Sequence, residues 1–177
     1  MKIVCIALFF LYWTDCTFAL DVHSLPVHRI EAEKVRTEDK KIMLEGSVVA
    51  VLDLGTVTCG KAIIVMDESS KREKKEDFSR LIEMEQHVLI NFTDGSLLSA
   101  DRGTIDCIKK EGVFWGSDKE KVIYETPHAE GSEKSRMRAS SNCLKGVLVK
   151  TESGWKLDDL NAEGAVRIEY QPEKSKK

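Results

Sequence analysis

The 177-residue sequence predicts an all-β protein built from repeated antiparallel hairpins. Three observations carry that expectation. Apolar and polar residues alternate over short stretches, the period of a strand with one buried face. Turn signals recur about every eight to twelve residues, the spacing of an all-β sandwich or roll. Sustained helical periodicity is scarce: residues 79–85 fit a helix briefly, but the alternation running on to Phe92 outweighs it.

The alternation is clearest in GSVVAVL at 46–52, QHVLINF at 86–92 and GAVRIEY at 164–170. Successive strand residues point to opposite faces, so Val88, Ile90 and Phe92 share one side while His87 and Asn91 share the other. Val166, Ile168 and Tyr170 likewise stand opposite Arg167 and Glu169. Strands are therefore expected at 29–37, 41–53, 55–66, 80–93, 96–108, 111–115, 121–125, 136–144, 147–151, 157–160 and 162–171. The turns between them carry suitable residues, as in Asp53-Leu54-Gly55, Lys110-Glu111-Gly112 and Glu152-Ser153-Gly154. Asp94-Gly95 between two apolar stretches is the strongest hairpin signal, because glycine takes positive φ without steric cost. Carried along the strands, the alternation puts Val48, Ala50, Leu52, Ile63, Val65, Val88, Ile90, Phe92, Ile105, Val166, Ile168 and Tyr170 on one inner surface. Branched and aromatic residues of this kind suit strands.

A length of 177 residues suits one domain, expected over 28–171. Hydrophobic content of 42% with 32% charged residues is that of an ordinary folded chain, neither disordered nor membrane-embedded. The first twenty residues differ from the rest. Lys2 precedes an apolar run at 3–13, and polar Thr14, Asp15 and Thr17 follow. That layout matches a signal peptide and falls short of the roughly 20 apolar residues that span a bilayer. Cleavage is expected after Ala19, giving a signal at 1–19 and a lead-in at 20–27; an uncleaved anchor is the alternative. Residues 172–177 read as a loose tail.

Cleavage would leave Cys59, Cys107 and Cys143, an odd number that allows at most one disulfide. No Cys-x-x-Cys is present, which argues against zinc. DESSKREKKED at 67–77 is almost wholly charged and cannot join a core, and TPHAEGSEKS at 126–135 reads as a second loop.

The sequence argues against two function classes. His23, His28, His87 and His128 are scattered, with no His-Glu-x-x-His, Gly-x-Ser-x-Gly or phosphate loop, so no enzyme is expected and no cofactor or metal is implied. The pairs Asp158-Asp159 and Glu83/Glu85 read as polar strand faces. A net charge of −3 gives no field for nucleic acid. Lys71-Arg72-Glu73-Lys74-Lys75-Glu76 mixes signs, and Trp115, Tyr124 and Trp155 are not interleaved with basic residues as a stacking platform requires. Asn91-Phe92-Thr93 matches a glycosylation acceptor, meaningful only in a eukaryotic secretory route.

A repeated unit overlies the hairpins. Ala32-Glu33-Lys34 and Ala100-Asp101-Arg102 each close a strand, and apolar runs ending on Gly46 and Gly116 follow. Ala139 and Ala162-Glu163 are weaker versions. Units of this size bury an apolar face only by stacking on their neighbours.

In order and spacing these motifs resemble the LptA/OstA-like family of periplasmic lipopolysaccharide-transport proteins. The matching stretches are IEAEK at 30–34, LEGSVVAV at 44–51, LSADR at 98–102 and LDDLNAEGAVRI at 157–168. The resemblance implies a half-open, twisted β-roll (a β-jellyroll) with a hydrophobic interior, no enzymatic activity and a place in outer-membrane biogenesis. It implies that the interior holds the lipid A acyl chains of lipopolysaccharide, so the twelve inner residues above become the expected lipid contacts. An acyl chain gains about 0.8 kcal/mol per buried methylene, so a modest groove holds a lipid firmly. It also implies a bridge across the periplasm, made by edge-to-edge pairing with other β-roll proteins and by head-to-tail self-association. The natural edges are the strands at 29–37 and 162–171, where Glu31, Glu33, Arg36, Arg167 and Glu169 can set register by charge. The chain departs from the family pattern in its charged 67–77 loop and its three mature cysteines. Two rival readings share the fold. One is an inner-membrane-anchored relative that keeps residues 1–19; the other is an adaptor that binds protein only.

Overall fold

The computed structural model describes residues 27–66, 80–127 and 135–172. The expected signal peptide, the 67–77 loop and most of the lead-in, of the 126–135 loop and of the tail fall outside them. The regular elements described are all strands: β1 (Val27–Glu31), β2 (Lys34–Glu38), β3 (Lys41–Leu52), β4 (Gly55–Met66), β5 (Arg80–Phe92), β6 (Leu97–Asp106), β7 (Glu111–Trp115), β8 (Val122–Glu125), β9 (Ser135–Ser141), β10 (Cys143–Thr151), β11 (Gly154–Glu163) and β12 (Arg167–Pro172). They form one antiparallel sheet that does not close on itself.

The sheet is undivided only at β3, β4, β5 and β6, and each outer side forks. On one side β3 carries β2 along residues 41–45 and β1 along 49–52. On the other, β6 carries β8 along 97–99 and β7 along 102–106. One fork continues β8-β9-β12 and the other β7-β10-β11. Two eight-strand leaves result, β1-β3-β4-β5-β6-β8-β9-β12 and β2-β3-β4-β5-β6-β7-β10-β11. They share the four long strands end to end.

A transverse seam separates the leaves. The register shifts between Glu45 and Val48 on β3, Thr58 and Lys61 on β4, and Glu85 and Val88 on β5. Gly46, Ser47, Gln86 and His87 have φ of 76°, 46°, 67° and 57°. Consecutive left-handed residues break a ladder and bend its strand sharply. Gly60 lies between them, where an added Cβ would meet Gln86 Oε1 at 2.5 Å. The same line continues through the ends of the short strands. Glu33 N donates to Gly46 O (3.0 Å), Gly116 N to Asn142 O (2.9 Å) and Asn142 N to Glu163 O (3.1 Å).

Directly paired residues share a face, so the pairings trace rows across each leaf. One row runs Ile30, Ala50, Val57, Ile90, Leu98, Tyr124, Ala139, Ile168. The other runs Val35, Leu44, Ala62, Met84, Gly103, Phe114, Leu144, Ala162. Their central members are buried in one hydrophobic cluster contributed by both leaves. The two inner faces therefore pack against each other, and that contact is the core.

Candidate functional site

The apolar inner face holds most of the residues singled out by alternation. Val48, Leu52, Val88, Ile90, Phe92 and Ile105 are buried on it, and Ala50 is packed against them. Ile63 and Val65 are not on it. At the seam β4 places Gly60 alone against Gly46-Ser47 of β3 and has one residue fewer than β5. Its inward alternation slips there by one position, so Val57 and Cys59 point inward in one leaf and Ala62 and Ile64 in the other. A one-residue shift sends every later side chain to the opposite face. Ile63 and Val65 stand half-buried on the outer surface. There Ile63, Met43, Lys61, Glu45, Glu83 and Glu85 surround a shallow outer groove of about 140 Å³. The paired carboxylates Glu83 and Glu85 thus line the outer surface, with Lys61 Nζ 3.8 Å from Glu45.

Ile168 and Tyr170 follow the inner side of β12 but are 55% and 67% exposed, and Val166, just before the strand, is 45% exposed. Exposure rises along a single row: Leu98 0%, Tyr124 1%, Ala139 7%, Ile168 55%. The apolar lining thus continues past the covered core onto the outermost strand, where the opposite leaf no longer reaches it. Val35 ends the other row in the same way at the opposite side of the sheet.

Between the leaves the space left is small. A cavity of about 20 Å³ is lined by Ile30, Val48, Ala50, Leu52, Val57 and Cys59 from one leaf and by Leu44, Ala62, Ile64, Ile82, Met84 and Ile105 from the other. That is room for about one water, not for an acyl chain.

Opposite the seam the leaves meet at their tips. Trp155 N donates to Thr93 Oγ1 (2.7 Å), and Asp94 N donates to Trp155 O (3.3 Å). Deeper in, the Tyr124 hydroxyl donates to the Leu157 carbonyl (3.0 Å) and lies 3.3 Å from Ser96 Oγ. Ser96 Oγ in turn donates to Asp94 Oδ1 (2.6 Å). Burial pushes the Tyr124 hydroxyl above its ordinary pKa, so it stays a donor. Sequence reasoning considered Tyr124 and Trp155 only as possible stacking residues. The pairing that brings β11 back over the β5–β6 turn spans 62 positions between Thr93 and Trp155, and no local pattern announces it.

Among the described residues no further strand pairs with the expected edges, and their charges are largely satisfied in place. Arg29 pairs with Glu31 and Arg167 with Glu169, while Glu33 accepts from Ser47 Oγ (3.1 Å). His28 Nε2 lies 2.7 Å from Asp53 Oδ1, tying β1 to the β3–β4 turn. His87 is exposed at the seam, facing away from the core. Asp158 sits 2.9 Å from Lys156 Nζ, and that ammonium holds its carboxyl below the usual range.

Among the described residues no disulfide joins Cys59, Cys107 and Cys143. Cys59 faces the cavity, and burial pushes its thiol from 9.0 up to about 11. Between those values the unfolded chain loses the proton that the folded chain keeps. Stability is therefore complete below pH 9 and falls as pH rises through the folded pKa. Cys59→Ala is expected to flatten the decline in urea midpoint over that window. An unchanged slope in the variant would assign the titration to another group.

No protein-family model matches the chain, and no curated protein sequence matches it.

Proposed function

We propose that the protein is a non-enzymatic carrier of lipid acyl chains, an LptA/OstA-like β-jellyroll that passes lipopolysaccharide along a bridge in the periplasm. The observation that carries this reading is the row Leu98, Tyr124, Ala139, Ile168, in which an apolar lining emerges from the core onto a free edge strand. A soluble protein rarely leaves contiguous apolar residues uncovered on an edge, and such strips mark contact with lipid or with another chain. Three of the twelve expected lipid contacts, Val166, Ile168 and Tyr170, lie on that strip. Among the described residues the outer edges of β1, β2, β11 and β12 carry no further strand, which suits the head-to-tail addition of neighbouring rolls. The β6 fork and the two facing leaves fit the half-open roll that the family resemblance implies.

A photoreactive residue at Ile168 tests the reading in cells that make lipopolysaccharide. The expected product is an adduct between the protein and lipopolysaccharide, with none from Leu89, which is exposed on the outer face. Adducts with protein alone at Ile168 would replace the carrier with an adaptor.

A further inference from the structure

We propose that the seam is a hinge and the contact between the β5–β6 and β10–β11 turns its latch, so that the leaves part there and the filled core opens into a slot. What would enter the slot rests on the carrier reading; the motion itself does not.

The seam is built to bend. Gly46-Ser47 and Gln86-His87 flank Gly60, and at each crossing the ladder skips a pairing. Backbone hydrogen bonds therefore hold each leaf together, whereas on the line between them the β3–β4, β4–β5 and β5–β6 ladders each skip a pairing and single backbone bonds remain at the ends of the short strands. A rotation about that line leaves both ladders intact, as hinge motions do.

The polar part of the latch is slight, and the buried apolar rows of the two leaves supply the rest of what holds them together. The polar contacts described from tip to tip are the two between Trp155 and Thr93-Asp94 and the one from Tyr124 to Leu157. While the Trp155 backbone makes this contact, its indole ring lies 6.0 Å from Lys110 Nζ. Trp155 Nε1 is buried with no hydrogen-bond partner among the described residues. A buried donor without an acceptor lowers the stability of the state that buries it.

The test labels a thiol placed on the inner face. Ile90 is fully buried and paired within its own leaf, so Ile90→Cys reacts only when the leaves part or the protein unfolds. Leu98→Cys, on the neighbouring strand, is the second reporter if the first does not fold. Labelling is followed by peptide mapping at increasing urea, with and without Thr93→Val and Tyr124→Phe together. Parting of intact leaves exposes less surface than unfolding, so the rate in native buffer is expected to exceed the global unfolding prediction and rise only shallowly with urea. Removing the two hydroxyls is expected to raise that native-buffer rate by about tenfold more than it raises the unfolding constant. A rate that follows the global unfolding equilibrium at every urea concentration, in both backgrounds, overturns the hinge. No lipid is present, so failure of the Ile168 crosslink leaves this result standing and the reverse also holds.

Discussion

Phe114→Ala is expected to lower stability by about 3–5 kcal/mol, near the upper end for loss of a buried aromatic. The ring is fully buried and sits over two glycines. A Cβ on Gly103, its partner on β6, would stand 2.5 Å from the ring, and one on Gly112, two residues earlier on β7, would stand 2.7 Å away. Because neither glycine has a side chain that could swing into the space, the cavity left by truncation stays largely open. Urea unfolding should show a lower midpoint with an unchanged slope, the sign of lost stability without altered compactness. The site is also expected to couple to its neighbour. Gly103→Ala overpacks the native core at a cost of roughly 1–3 kcal/mol, and that cost should shrink or reverse once the ring is gone. A loss below about 1.5 kcal/mol for Phe114→Ala would mean that β7 and β10 collapse onto β6, so that the glycines are not what shapes this part of the core.

Much of the inner face was legible because burial enforces alternation. Val88, Ile90 and Phe92 are buried as their spacing predicts, and Asp94-Gly95 makes a turn in which Gly95 has φ of 87° and bonds back to Phe92 O (3.0 Å). The breaks expected at 145–146 and at 161 are absent, since β10 runs unbroken over Cys143–Thr151 and β11 over Gly154–Glu163. Other failures share one cause, the seam. It displaced Ile63 and Val65 to the outer face by a one-position slip of the β4 alternation at Gly60, and a strand-period pattern read from one segment has no means of registering such a slip. It also split the strand expected at 29–37 into β1 and β2 at Ala32-Glu33, and the one at 136–144 into β9 and β10 at Asn142, where the chain changes leaf. The seam does leave a trace in the sequence. The repeated Ala-acidic pairs at 32–33, 100–101 and 162–163 mark the places where the chain crosses from one leaf toward the other. A small residue followed by a carboxylate suits such a crossing. Glu33 shows why, since its backbone bonds Gly46 and its side chain accepts from Ser47. The latch was not legible at all: Thr93 and Trp155 meet only because the whole sheet folds over.

Gly55→Ala is expected to cost roughly 3–5 kcal/mol, far more than the same change at Gly95, and the contrast isolates why. Both glycines sit in hairpin turns with positive φ. At Gly95 φ is 87° and the nearest atom to an added Cβ is Pro127 Cβ at 3.6 Å, an ordinary contact. Only the backbone penalty of a left-handed residue applies there, about 1–2 kcal/mol. At Gly55 φ is 138°, a region that side chains scarcely enter, and the Cβ would stand 2.0 Å from the Asn91 carbonyl oxygen. The obstacle is backbone of the paired strand β5, so relief requires β4 and β5 to separate where Gly55 meets Phe92. That separation would also disturb Leu54, which is buried and accepts from Thr93 N (3.1 Å). Thr93 belongs to the proposed latch, so damage at Gly55 should reach it. Gly55→Ala is therefore expected to raise thiol labelling on the inner face as well as to lower the urea midpoint, whereas Gly95→Ala should lower the midpoint slightly and leave labelling in step with it. Equal losses at the two positions would show that left-handed backbone alone sets the cost and that the approach of Gly55 to Asn91 relaxes freely.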